Sequence, residues 1–430
     1  MTTTHAPASP PGARRASTAL PSTALPSSAG PLLWPWWSEG ALDAVRRLLE
    51  EGDMAAAGPG HPLIDACEQL AADVLAPGRH VMLCDSGTAA LETAYAALRL
   101  PPGSEVLIPA TSFRATATAM LPQGLVPVLC DTDPATGGID LDDAACRITK
   151  RTAALAVTHL FGRPVPADPL RRFCDQHHLA LVEDCSHAHG TAWRGRPVGT
   201  GADVAIFSCG TWKMCSGGKA GLLATPDRGV WERAHVLAQP KHRALARVRD
   251  NGLRALAQSG AGHNRRASPV AAVLVADHLR RLAHTVVTKN ERQAAVEELL
   301  ARHLPALVPL PDPAGRTAGA LYKLHWRLTD GRPAHQVVTA LRAAGVRAWL
   351  PAQPLHQLPL FTDPDLAALL GLPRPAQVAP EGFPGTARFL ADLVEIDTRD
   401  LYEPLPDGDP DPYDHALAAA AERLATAAGT

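Results

Sequence analysis

Lysine is scarce in this sequence, and one lysine lies where an amine could do covalent chemistry. Only six of the 41 basic residues are lysines. Lys213 follows a short apolar run at 204–207 and a segment, 208–212, that carries no charged side chain. An amine withdrawn from water can form a Schiff base with a carbonyl compound. The alternative is a surface lysine whose stem packs along a loop, and this is our interpretation of Lys219 in its glycine-rich turn.

Three other segments place polar or aromatic residues directly after apolar runs. The Ser-Gly-Thr segment 86–88 begins an Ala/Leu-rich helical pattern, where N–H groups could bind an anion or simply be capped. Asp184 follows the run 179–183 and could hold a proton on a heteroaromatic nitrogen, or cap a helix or turn. Phe113 could offer a flat face to a ring, or belong to the core.

Together these four features match the chemical needs of one cofactor. Pyridoxal 5′-phosphate has a phosphate that needs an anion site, a ring that stacks, a ring nitrogen that must stay protonated and an aldehyde that needs an amine. Each feature is weak alone, but all of them fall at the ends of predicted strands. The sequence therefore predicts a pyridoxal phosphate site.

The elements that must position these residues alternate along the chain. Short apolar runs alternate with helical patterns from 62 to 224, which is typical of a parallel sheet covered by helices. Ligands bind beyond the carboxyl ends of such strands. Further elements are a helix over 112–121, a long helix over 269–304, strands over 321–328 and 346–350, and a loop over 404–414.

These patterns predict an α/β protein in three parts. Residues 1–30 are almost all Thr, Ala, Pro, Ser and Gly, and we expect this tail to be disordered. A large α/β domain that binds the cofactor is expected over 31–285, because a single core seldom grows beyond ~250–300 residues. A smaller α+β domain is expected over 286–430.

The motifs that contain these residues resemble those of a known family. The sequence from about 34 to 400 is similar to the DegT/StrS sugar and aminocyclitol aminotransferases, which are fold type I enzymes dependent on pyridoxal phosphate. That fold has a large, mostly parallel mixed sheet. The motifs, in order, are SGTAAL (86–91), IPATSF (108–113), VEDCSHAHG (182–190), FSCGTWK (207–213) and GHNRR (262–266).

The resemblance implies roles for individual residues. Lys213 matches the lysine that binds the cofactor aldehyde and later moves a proton, and Asp184 matches the carboxylate paired with the ring nitrogen. His187 falls near the cofactor ring and its phenolic oxygen, at a position where the family often has Gln. Phe113 matches the aromatic residue that stacks on the ring. The phosphate ligands of the family are matched by Gly87, Thr88, Ser208 and Asn264.

The resemblance also implies a homodimer with a shared active site. Asn264 matches an asparagine that reaches the phosphate of the neighbouring subunit. Arg266 in the same loop, and Lys323 and His356 in the smaller domain, are candidates for substrate binding. Ordinary surface or salt-bridge roles are the alternative for these three residues.

The implied reaction is the transfer of an amino group from glutamate or glutamine to a ketone on a keto-sugar or keto-cyclitol. The Trp34-Pro35 pair resembles the branch that acts on cyclitols, and the Ala-, Arg- and Pro-rich composition favours antibiotic biosynthesis. The family usually has an acidic residue where this chain has Lys219, which leaves substrate preference open. The alternatives are a dehydratase of the same fold and a regulator that binds the cofactor without turnover.

Composition excludes several other classes. The net charge of −2 and the lack of basic runs argue against a nucleic-acid partner. No apolar stretch approaches the ~18 residues that span a bilayer, and no export signal is recognisable, so we expect a cytoplasmic location. The eight cysteines contain no CxxC pair, which predicts buried reduced thiols and no metal site.

Overall fold

The computed structural model describes residues 34–54, 60–363, 365–376, 382–405 and 411–428. The predicted tail at 1–30 lies outside the described residues. The strands are β1 His80–Cys84, β2 Glu105–Pro109, β3 Val126–Cys130, β4 Thr152–Thr158, β5 Ala180–Asp184, β6 Ala192–Trp193, β7 Arg196–Pro197, β8 Val204–Ser208, β9 Gly221–Thr225, β10 Leu307–Pro309, β11 Arg316–Ala318, β12 Lys323–Leu328, β13 Ala348–Trp349 and β14 Leu393–Asp397.

The helices cover these strands or connect them. They are α1 Glu39–Glu51, α2 Pro62–Val74, α3 Gly87–Leu98, α4 Arg114–Thr118, α5 Leu141–Cys146, α6 Ala167–His177, α7 Arg228–Ala238, α8 Lys241–Arg247, α9 Asn251–Gln258, α10 Pro269–His303, α11 Ala334–Ala343, α12 Pro359–Thr362, α13 Pro384–Leu390 and α14 Pro412–Ala428.

Seven strands form the large sheet, in the order β1-β9-β8-β5-β4-β2-β3. Only β9 runs antiparallel to its neighbours, so the predicted mixed and mostly parallel sheet is confirmed. Both faces are buried, since Met82 and Leu83, adjacent in β1, pack into different hydrophobic clusters. A strand with helices on both faces has no polar side, which explains its continuous apolar sequence.

A second sheet, β10-β12-β14-β13, lies with α11 and α14 in the C-terminal part of the chain. The 35-residue helix α10 serves both sheets. Its first half contributes Ala272 and Leu279 to the core of the large sheet, and its second half contributes Val296 and Leu300 to the core of the second. The domain boundary predicted at 285/286 falls inside this helix, and the division into domains stays a prediction.

Several predicted elements differ from the structure. The helix predicted over 112–121 is only α4, because Pro122 lacks an N–H group and the chain continues as a 3-10 turn. The strand predicted from 321 begins at Lys323, since the Tyr322 N–H donates to the Phe161 carbonyl instead. The loop predicted to 414 ends earlier, where Asp411 caps α14 by accepting from the N–H of Tyr413.

Strand β14 has no counterpart in the sequence-based expectations, and the strand predicted over 346–350 is reduced to β13. Seven of the eight cysteines are buried and Cys146 is exposed, which corrects the expectation of buried thiols at that position. Across the described residues, no helix has both the length and the apolar character needed to cross a membrane.

Candidate active site

A cavity of about 300 Å³ lies at the carboxyl ends of β1, β5 and β8, where the sequence predicts the cofactor site. We call it the strand-end cavity. It brings together seven of the predicted residues from four separate segments. Those seven are Gly87, Thr88, Phe113, Asp184, His187, Ser208 and Lys213.

Lys213 stands at one side of this cavity. Its Nζ lies 4.5 Å from the centroid of the Tyr322 ring. Burial lowers the pKa of Lys213 to about 8, although the negative charge of Asp184 acts in the opposite direction. The backbone is fixed from behind, because the Trp34 indole donates a 2.8 Å hydrogen bond to the Lys213 carbonyl. An amine of this pKa is mostly deprotonated above about pH 8, where it becomes a nucleophile.

Asp184 is buried at the end of β5. The hydroxyl of Thr116 donates to its Oδ2 at 2.7 Å, and the N–H of Ser186 donates to its Oδ1 at 3.0 Å. Thr158, paired with Asp184 in the sheet, lies 3.2 Å from the Thr116 hydroxyl and extends this network to the cavity wall. Sequence reasoning missed both threonines, although Thr158 ends the strand that precedes β5.

His187 lies between the cavity and Tyr322, with its ring stacked on the Tyr322 ring at 4.3 Å. Its Nδ1 accepts a hydrogen bond from the N–H of Phe161, whose backbone is left-handed at φ 62°. Burial, with the nearby charge of Lys213, holds the pKa of His187 well below its usual range. The ring is therefore neutral, and its hydrogen is on Nε2, which makes Nε2 a donor.

The start of α3 forms an anion cradle. The Ser86 hydroxyl caps the helix by accepting from the N–H of Ala89 at 3.1 Å. A Cβ on Gly87 would meet the Cβ of Ser208 at 2.6 Å, so only glycine lets β8 approach the helix this closely. N–H groups and hydroxyls at a helix N-terminus bind phosphate well.

Asn264 and Arg266 do not line the strand-end cavity, and both are exposed. Their loop is held against the end of β1, since the N–H of Asp85 donates to the Arg265 carbonyl at 2.9 Å. Asn264 has a left-handed backbone at φ 51°.

A second cavity, of about 330 Å³, has Tyr322 in its wall. We call it the small-sheet cavity, because β12, β13 and β14 supply much of its wall. Its charged groups are paired: Lys323 Nζ lies 2.5 Å from Glu395, and Arg399 lies 2.7 Å from Asp397. Lys323 lines this cavity and its role in substrate binding stays a prediction, whereas sequence reasoning missed the other three residues.

Two tryptophans complete the small-sheet cavity. Arg399 lies over the ring of Trp212 at 4.8 Å, and Lys323 lies 5.9 Å from the ring of Trp349. His356, a predicted substrate contact, lines neither cavity. It is buried, and its ring stacks on Phe383 at 4.3 Å.

A buried stack of side chains lies behind the small-sheet cavity. Trp34 stacks on Tyr402 at 4.1 Å, and the Nζ of Lys289 lies 4.0 Å from the same Tyr402 ring. Because Trp34 covers one face, Lys289 must cover the other. Lys289 is fully buried and its Nζ has no hydrogen-bond partner. Burial lowers the pKa of Lys289 to about 7, although Asp397 and Asp400 act to raise it.

Within the described part of the chain, His159, Glu183 and Cys185 are the one group of three side chains that are spaced to hold a metal ion. The N–H of Val165 donates to His159 Nδ1, so the ring hydrogen is on Nε2 and points to Glu183 at 3.0 Å. Gly199 donates to the same carboxylate. Hydrogen bonds therefore account for this group.

The chain belongs to the DegT/DnrJ/EryC1/StrS aminotransferase family, whose sequence profile matches residues 38–382. It is a pyridoxal phosphate-dependent aminotransferase with the fold type I architecture, as predicted.

Individual members of the family that resemble this chain have more specific names. The L-glutamine:2-deoxy-scyllo-inosose aminotransferase of Streptomyces lividus is 32% identical over 311 residues, which cover 70% of this chain and 72% of the relative. The enzyme of the same name from Micromonospora echinospora is 32% identical, with 79% and 83% covered. The aminotransferase TlmJ from Streptoalloteichus hindustanus has a TM-score of 0.74 at 25% identity, with 92% and 99% covered.

The residues of the strand-end cavity fit pyridoxal phosphate. The anion cradle of α3 provides neutral donors, and close packing of Gly87 against Ser208 leaves them open to the cavity. Asp184 presents a buried carboxylate, and Lys213 presents an amine whose pKa is near 8. A phosphate, a basic ring nitrogen and an aldehyde each find a matching group.

Proposed function

We propose that this protein transfers the amino group of glutamine or glutamate to the ketone of a free keto-cyclitol, in the biosynthesis of an aminocyclitol antibiotic. The main observation in support is the position of Lys213. This residue lines the strand-end cavity, and its amine lies 4.5 Å from the ring of Tyr322, which lines the small-sheet cavity. One cavity has the groups that hold the cofactor, and the other can hold a polar ring. Relatives named as L-glutamine:2-deoxy-scyllo-inosose aminotransferases support this choice of donor and acceptor.

When bound, pyridoxal phosphate supplies an aldehyde that carries the amino group and a ring that withdraws electrons. Lys213 binds the aldehyde carbon and then moves a proton at its Nζ. The pKa of about 8 leaves the amine able to accept a proton and to return it. Tyr322, beneath the amine, limits where the Nζ can move.

The other residues of the strand-end cavity orient the cofactor. Asp184, fixed by Thr116 and Ser186, holds a proton on the ring nitrogen. His187, whose hydrogen is on Nε2, donates to the phenolic oxygen. Phe113 stacks on the ring. The phosphate is bound by Gly87, Thr88 and Ser208.

The small-sheet cavity favours an uncharged, polyhydroxylated acceptor. Lys323 and Arg399 are each paired with a carboxylate, so the cavity offers donors and acceptors in balance. Hydroxyl groups need both, whereas a nucleotide diphosphate needs unpaired cations. The rings of Trp212 and Trp349 offer apolar faces to the carbon skeleton of a ring.

We further propose that two copies of the chain share their active sites in the cytoplasm. Asn264 is exposed on a loop held at the end of β1, which leaves its side chain free to contact a second copy of the chain. In this arrangement it binds the phosphate of the partner. Arg266 and His356 stay candidates for acceptor binding.

An absorbance experiment on the full chain tests this function. The protein loaded with pyridoxal phosphate should absorb in the visible, lose that band with glutamine or glutamate, and regain it with 2-deoxy-scyllo-inosose. Lys213→Ala should never form the band. Recovery only with a nucleotide-linked keto-sugar would contradict the acceptor. A band that no amino donor changes would favour the regulator, and loss of water from the acceptor without amination would favour the dehydratase.

A further inference from the structure

Lys219 lies at the mouth of the strand-end cavity, so it is not simply a surface lysine remote from the candidate site. It lines the cavity together with Ser86 and Thr88. Its side chain is 78% exposed, and its Nζ lies 3.9 Å from Asp85, the residue before the helix cap. The ammonium group is thus held beside the N-terminus of α3.

The turn that carries Lys219 is fixed in place. The N–H of Cys209 donates to the Ala220 carbonyl, and the hydroxyl of Thr211 donates to the Gly218 carbonyl. A Cβ on Gly221 would lie 2.3 Å from the Ser86 carbonyl oxygen, so the chain after Lys219 packs directly on the cradle. The backbone of the turn therefore cannot drift away from the phosphate-binding segment.

The charges that line the cavity indicate what Lys219 could bind. A phosphate monoester carries about −1.5 to −2 charges at neutral pH. The residues of the cradle are neutral, and His187 is neutral because burial depresses its pKa. Lys213 and Lys219 are the two cations that line the cavity, and the Lys213 amine is used to bind the aldehyde. Lys219 is the one remaining cation at this cavity.

We propose that Lys219 binds the phosphate of pyridoxal phosphate, with Asp85 holding its ammonium group at the mouth until the cofactor enters. The ammonium group would exchange a long contact to the half-buried carboxylate of Asp85 for a contact to a dianion. This inference depends on pyridoxal phosphate being the cofactor, and it is independent of the identity of the amino acceptor.

The test compares pyridoxal phosphate with pyridoxal, which has no phosphate. The apo form of the full chain is titrated with each compound, and binding is followed by visible absorbance at two salt concentrations. We expect Lys219→Ala to raise the Kd of pyridoxal phosphate about five- to tenfold, to reduce its salt dependence, and to leave pyridoxal unchanged. Lys219→Glu should have a larger effect, and Lys219→Arg should restore binding.

Two further variants sharpen the result. Asp85→Asn should strengthen binding of pyridoxal phosphate, since it removes the competing carboxylate. Lys241→Ala, at an exposed lysine outside the cavity, is the matched control and should change nothing. Equal weakening of both compounds by Lys219→Ala, or no change in either, would overturn the proposal. Because no donor or acceptor is present, this result is separate from the test of the aminotransferase reaction.

Discussion

The strand-end cavity and the small-sheet cavity are built in different ways. The strand-end cavity is formed by segments that directly follow neighbouring strands and by the backbone at the start of α3. The small-sheet cavity is formed by long side chains held in two ion pairs. Lys323 of β12 pairs with Glu395 of β14, and Arg399 pairs with Asp397 at the end of β14. Under the proposed function, the backbone and the strand ends would hold the cofactor, and the side chains of the small-sheet cavity would select the substrate.

The largest effect should come from Lys213, which lies between the cavities. Lys213→Ala should lower kcat/KM by at least about a thousandfold, since it removes both the nucleophile and the proton carrier. Steady-state kinetics with Lys241→Ala as control would measure this loss. A variant that keeps roughly a tenth of the activity would contradict the assignment.

The Lys213 amine also predicts a pH dependence. Its pKa is lowered to about 8, so the amine is protonated below that pH and cannot attack the aldehyde. The rate of cofactor capture by the apo form should rise about tenfold per pH unit and level off above about pH 8. Stopped-flow absorbance measures this rate. A rate that is constant from pH 6 to pH 9 would exclude a titrating amine.

Asp184→Asn tests the strand-end cavity alone. The amide keeps the shape of the side chain but loses the charge that holds a proton on the ring nitrogen, so kcat should fall about 10²–10⁴-fold. Binding of the cofactor phosphate should change little. Thr116→Val, which removes a hydrogen bond to the carboxylate but keeps its charge, is the matched comparison and should have a smaller effect. Full activity of the asparagine variant would refute the role.

Trp212→Ala tests the small-sheet cavity alone. Loss of its ring, which lies beneath Arg399, should raise the KM for the acceptor about tenfold, while the Kd of pyridoxal phosphate stays the same. Val308→Ala, an exposed apolar residue on the same sheet, should have no effect on either. If Trp212→Ala weakened cofactor binding as much as acceptor binding, the two cavities would not be separable.

The smallest effect concerns stability. Lys289 has a native pKa of about 7 against an ordinary 10.5, so the unfolded chain binds more protons between these values and stability rises with pH. Lys289→Met should therefore stabilise the protein by about 1–3 kcal/mol at pH 6 and by less at pH 9. Urea unfolding at both pH values measures this difference. Equal stabilisation at both would show that the lysine does not titrate.

The comparison of cavities also explains what could be predicted from the sequence. Lys213 and Asp184 follow apolar runs, and the carboxyl ends of parallel strands meet at one edge, so local patterns were sufficient. Glu395 and Arg399 reach the small-sheet cavity only because β14 pairs with β12, about 70 residues earlier. The segment LVEID is short and follows a Pro-rich stretch, and no local pattern fixes its partner or its register.

His356 is a different case. It was predicted from its place in a Pro-rich loop of the smaller domain, and its ring packs on Phe383, a contact that no local pattern predicts. Its role in substrate binding stays a prediction. Sequence reasoning missed Tyr322 and Thr158 because their contacts join elements that are distant in the chain. Tyr322 stacks on His187, and Thr158 forms a hydrogen bond with Thr116.

Trp34 connects the beginning of the described chain to both cavities. Its N–H donates to the Arg399 carbonyl, its indole donates to the Lys213 carbonyl, and its ring covers Tyr402. Anyone who trims this protein for crystallography or fuses another protein to its N-terminus should therefore treat residue 34 as part of the active site. A cut a few residues later would remove contacts to residues that line both cavities.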